Sequence, residues 1–63
     1  MNKAYIARDS NDMVYLYKSK PEKGSVEWYA TDNFFPITDL PEGINPRWED
    51  NEPIVVKVKI EKI

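Results

Sequence analysis

The sequence predicts an all-β fold, a small antiparallel sheet of four to five strands covered on one face by a long proline-containing connection. Three observations predict it. Ile and Val together number 11 against 2 Leu, and 8 residues are aromatic, a composition that suits pleated, half-buried surfaces better than helices. In the segment 53 to 62, Ile54, Val56, Val58 and Ile60 alternate with Val55, Lys57, Lys59 and Glu61, the period-two pattern of a strand. The one stretch long enough for a helix, residues 32 to 52, is cut by Pro36, Pro41 and Pro46, each of which removes a backbone donor and restricts the residue before it.

The strands follow in order as residues 3 to 8, 13 to 19, 26 to 31 and 53 to 62. Side-chain parity links them. Even positions supply Ala4, Ile6, Val14, Leu16, Val26, Trp28 and Ala30, and odd positions supply Tyr5, Tyr15, Tyr17 and Tyr29, so the even face is expected to be the core. For even residues to meet even residues across the first hairpin, the paired numbers must sum to an even value, which requires a loop with an odd number of residues. Arg8 opposite Asp12 leaves Asp9-Ser10-Asn11, with Asn11 suited to the left-handed conformation, whereas a two-residue turn at Ser10-Asn11 would mix the faces. The second connection is built around Pro21-Glu22-Lys23-Gly24, and Lys18 opposite Val26 keeps the same parity.

Three strands in a meander, with the fourth antiparallel beside the first, give the spatial order 4-1-2-3. The crossing segment then has to bury Phe34, Phe35, Ile37, Leu40, Ile44 and Trp48, and it does so by covering the even face as a second layer. An unstructured connection of that length is unusual. An added strand near Phe34 to Thr38, in a curled sheet or partly closed barrel of SH3-like or OB-like size, therefore remains an open alternative.

A chain of 63 residues forms one small β domain, residues 1–63, and a core of this size buries only about 60% of the unfolded surface. With no cysteine and no histidine, neither a disulfide nor a zinc site can supplement that core, and association with a partner becomes one way to bury more apolar area. The net charge of −2 argues against bulk nucleic-acid affinity. Its distribution is uneven: residues 1 to 31 sum to +1, residues 32 to 52 to −5 and residues 53 to 63 to +2. No apolar run approaches a membrane span and the start, MNKAYIARDS, lacks the apolar stretch of a secretory signal, so the expectation is a soluble, cytoplasmic protein.

The pattern YIARD, then YLYKSKP, a Trp in the next strand, FFPI and finally WEDNEP running into a β-rich end resembles short proteins of bacteriophage and mobile-element type. The resemblance extends over nearly the whole chain. It implies no activity that could be carried onto a residue here, and the hairpin tip Ser10-Asn11 departs from the Gly common at that turn.

Counting from Asp9 as the first place of a calcium loop, Asn11 fits the third, but Met13 falls at the fifth, Val14 at the sixth and Lys20 at the twelfth, so the acidic tip reads as a corner. Glu49, Asp50 and Glu52 form a second acidic patch, either solvated or meeting a basic partner surface. Ser10, Ser19 and Ser25 have no histidine as base, and Gly24 and Gly43 are the only glycines, which leaves no phosphate-cradling loop. The expectation is a non-enzymatic chain with no catalytic or metal-ligating residue, no cofactor and no small-molecule substrate.

The tyrosines carry the remaining information. On one sheet surface Tyr5, Tyr15, Tyr17 and Tyr29, with Lys57 and Lys59 beside them, make a candidate interaction surface. Three readings compete: cross-strand stabilisation of the sheet, a protein-protein contact that includes self-association by this face or along the edge of residues 53 to 62, and stacking of single-stranded nucleic acid on the rings. The sequence favours a protein-protein interaction module, homo-oligomeric or partnered, with single-stranded nucleic-acid binding on the same face as the alternative.

Overall fold

A computed structural model of the chain describes residues 3 to 58. It is all-β and contains six strands in two sheets, with no helix among the described residues. β1 (Lys3–Arg8), β2 (Val14–Tyr17), β5 (Phe34–Pro36) and β6 (Ile54–Lys57) form a four-stranded antiparallel sheet in the order β5-β2-β1-β6. β3 (Glu22–Lys23) and β4 (Trp28–Tyr29) form a separate two-stranded sheet. The larger sheet is not closed into a barrel.

The expected neighbour relations around β1 hold, and β6 lies antiparallel beside it with Ile6 opposite Ile54 and Ala4 opposite Val56. Parity holds as well, because Ile6 faces Leu16 and Tyr5 faces Tyr17. The hairpin register differs by two residues: Val14, not Asp12, stands opposite Arg8, and the loop is Asp9 to Met13. Asp12, not Asn11, takes the left-handed conformation, at φ 75°. Asn11 acts through its side chain, whose Oδ1 accepts the Met13 amide at 3.0 Å, a local bond that Asn forms readily in turns. The Arg8 guanidinium closes the corner by donating to the Asp12 carbonyl at 2.8 Å.

The place beside β2 goes to β5 instead of residues 26 to 31. The segment after Tyr17 cannot run straight on into a meander, because Pro21 is fully buried and has no amide to give to a ladder. Glu22 and Lys23, read from the sequence as a turn, become β3 and pair with Tyr29 and Trp28. Lys18 therefore does not oppose Val26, which is exposed. Gly24 makes the tight return possible, since its amide donates to the Glu27 carbonyl at 2.7 Å and a Cβ there would lie 2.8 Å from the same oxygen. β5 realises the added strand that the sequence left open, and the ladder continues one bond further through the Ile37 amide and the Val14 carbonyl.

From Ile37 to Pro53 the chain is irregular, stabilised by short i to i+3 turns at Pro41–Ile44 and Arg47–Asp50. Two long-range bonds to its carbonyls pin it. Arg8 Nε donates to the carbonyl of the buried Pro46 at 2.9 Å, and Lys23 Nζ donates to the Asp50 carbonyl at 2.9 Å. The expected strand 53 to 62 is regular over Ile54–Lys57, and its positions 59 to 62 lie outside the described residues.

Candidate functional site: two faces and an open edge

Both faces of the larger sheet bury side chains. On the even side Ala4, Ile6 and Val14 are buried, with Leu16 half-buried. On the odd side Ala7 and Tyr17 are buried together with Trp28, and Tyr5, Tyr15, Ala30 and Trp48 pack against them. The tyrosine surface is thus largely a core, which corrects the expectation that only the even face is inside. Trp48, expected over the even face, packs on this odd-side cluster.

The reason is volume. A short chain has few large apolar groups, and an aromatic ring can be buried when its polar tip finds a partner. Tyr17 is 0% exposed and its hydroxyl points at the Trp28 carbonyl, 3.4 Å away. Its ring lies 5.3 Å from that of Phe34, which in turn meets Tyr15 edge-on at 5.4 Å. Lys23 sits against Trp48, its ammonium 4.4 Å from the ring centroid, and joins the small sheet to the connection by a cation–π contact.

Of the candidate surface residues, Tyr17 is therefore closed to any partner, Tyr5 and Tyr15 are half-buried, and Tyr29 lies on the other sheet with its ring exposed. Lys57 is exposed on β6, and Lys59 lies outside the described residues. The four tyrosines do not form one open platform on which bases could stack. The acidic patch is drawn into local structure: Asp50 Oδ2 accepts the Arg47 amide at 3.0 Å, Glu49 is 3.5 Å from Arg47, and Glu52 pairs with Lys20 at 3.0 Å. Both ion pairs are exposed and add little stability.

The acidic tip is a corner, but its first residue does more than turn the chain. Asp9 is buried, its amide donates to the Met13 carbonyl at 2.8 Å, and its Oδ1 accepts the Trp28 amide at 2.9 Å. Ser10 supports the same junction, donating from both its amide and its hydroxyl to the Val26 carbonyl. The sequence reading did not assign this role. Its available signal was a carboxylate directly after a strand rich in apolar residues, ahead of a turn already supplied with Asn and Asp.

Burial raises the Tyr17 phenol above its ordinary value, with the Asp9 carboxylate adding to the effect. In the unfolded chain this group loses its proton near its ordinary value of 10.0, while in the folded chain it keeps it to higher pH. Above about pH 10 the unfolded state binds fewer protons, so stability falls as pH rises. Urea unfolding at pH 8 and pH 11 is expected to show this loss in the native chain, and Tyr17→Phe is expected to reduce it. An equal loss in both chains would show that other groups carry it.

What remains open is the periphery. Among the described residues β6 is hydrogen-bonded on one side only, and Val55 at its centre is 58% exposed. At the opposite edge β5 has three residues and ends in Pro36. On the even side, an apolar groove of about 490 Å³ runs across one end of the sheet. No helix among the described residues is long and apolar enough to cross a membrane, and no three acidic residues among them come together as a metal site. Comparison with protein-family models, with curated proteins and with solved structures gives no match.

Proposed function

We propose that the chain is a non-enzymatic protein-interaction module that self-associates through the open edge of β6. The observation that carries this reading is the edge itself: among the described residues β6 is paired only with β1, and its central Val55 is in water. Such a strand presents unpaired amides and carbonyls to a further strand. The resemblance to short phage and mobile-element proteins fits an accessory role in which a host or phage protein is bound.

Parity restricts how two copies could pair. A two-fold axis through the sheet keeps each face on its own side only when opposed residues have the same parity. Centring the pairing on Val55 would set Lys57 against Pro53, which has no amide to offer. Centring it on Val56 sets Val55 against the second copy's Lys57 and Ile54 against its Val58, with no lysine facing a lysine.

Light scattering coupled to size exclusion, run from micromolar to millimolar protein, is expected to show a dimer growing in with concentration. Val55→Lys puts a like charge opposite Lys57 without removing a buried group, and it is expected to leave a folded monomer. A native chain that stays monomeric over the whole series would remove the self-pairing reading.

A further inference from the structure

The even-side groove is a different surface from the edge of β6. Its apolar lining is Ala4, Leu16, Phe35 and Val58, and Lys3 and Lys18 stand at its rim with Ser19 and Asp32. Phe35 is 47% exposed and Val58 39%, so two large side chains are left in water in a chain that buries few.

The charged groups at its rim are net positive, Lys3 and Lys18 against Asp32. The β1–β6 register also brings Lys57 to this end of the sheet, directly opposite Lys3, but alternation sets Lys57 on the odd side with Val55, away from the groove. Like charges facing each other across two strands oppose pairing. Among the described residues none of the three lysines makes an ion pair. The one carboxylate on the rim, Asp32, is engaged by the Ser19 hydroxyl. An apolar floor under a cationic end is complementary to an apolar side chain with carboxylates beside it.

We propose that this groove binds a segment of a partner protein in which an apolar residue is flanked by acidic ones. The apolar side chain lies over Ala4 and Leu16 between Phe35 and Val58, and the flanking carboxylates meet Lys3 and Lys18. The proposal does not depend on pairing along β6.

The test uses the full chain carrying Val55→Lys, which separates the groove from edge pairing, and follows backbone amide signals by nuclear magnetic resonance. The probes are a blocked hexapeptide with Phe-Leu at its centre and two acidic residues at each end, the same peptide with lysines at the ends, and decanoate. The acidic peptide is expected to shift the Ala4, Leu16, Phe35 and Val58 amides saturably, and to bind at least about tenfold more tightly than the lysine peptide, because like-charge juxtaposition is costly at a contact. Lys18→Glu, an exposed change, is expected to weaken the acidic peptide and strengthen the lysine one. Phe35→Ser is expected to weaken both. Equal affinity for the two peptides, no saturable shift, shifts away from the groove, or decanoate bound more tightly than the acidic peptide would each overturn the proposal.

Discussion

Replacing Tyr17 with alanine is expected to leave the chain unfolded at 25 °C. Truncating a buried aromatic costs about 3–5 kcal/mol, through lost transfer free energy and the cavity left behind. At about 0.05–0.15 kcal/mol per residue, a chain of 63 residues has only about 3–9 kcal/mol in total. Tyr17 is fully buried and meets Ala7, Trp28, Tyr15 and Phe34, so its loss opens the odd-side core at its centre. Tyr29→Ala, which removes an exposed ring, is the matched control and is expected to change stability by no more than about 0.5 kcal/mol. Circular dichroism and amide dispersion distinguish the two. A Tyr17→Ala chain as stable as the Tyr29→Ala chain would mean that the odd side is not the core.

The second large effect is expected at Asp9. Alanine there removes the acceptor of the Trp28 amide and leaves that donor buried without a partner, at a cost of about 1–3 kcal/mol. The position is sensitive because the Trp28 indole N–H is already buried without a hydrogen bond among the described residues, so the variant leaves both donors of one residue unpaired. Asp9→Asn keeps an acceptor oxygen and is expected to lose less. Urea midpoints of the three chains give the order native, Asp9→Asn, Asp9→Ala from most to least stable. An Asp9→Ala midpoint equal to the native one would show that the bond to Trp28 contributes nothing.

Much of the sheet was legible because it depends on parity. Period-two alternation placed β1, β2 and β6 correctly and matched even residues with even ones across both ladders, a constraint that survives a two-residue error in loop length. What alternation cannot state is which side is covered. Tyr17 has the pattern of a solvent-facing residue, yet the Trp28 carbonyl satisfies its hydroxyl, and the carbonyl lies eleven residues away on another sheet. The same limit hid Asp9, whose partner Trp28 is nineteen residues away. The placing of residues 26 to 31 failed for a local reason: the buried Pro21 and the close return at Gly24 fold that segment onto Glu22 and Lys23 before it can reach β2. The groove was missed because Phe34 and Phe35 were grouped as core, whereas adjacent strand residues point to opposite sides. Phe34 turns to Tyr15 and Tyr17 on the odd side and Phe35 to the groove on the even side, each about half exposed, at 46% and 47%.

The proline that ends β5 sets the size of any assembly built through β6. A molecule that can accept a neighbour on both flanks propagates without limit, which is the geometry of a fibre. Here the far flank is three residues long and lacks a donor at Pro36, so a pair joined at β6 as proposed would leave its larger sheet ending in two such blunted flanks, which disfavour growth beyond two.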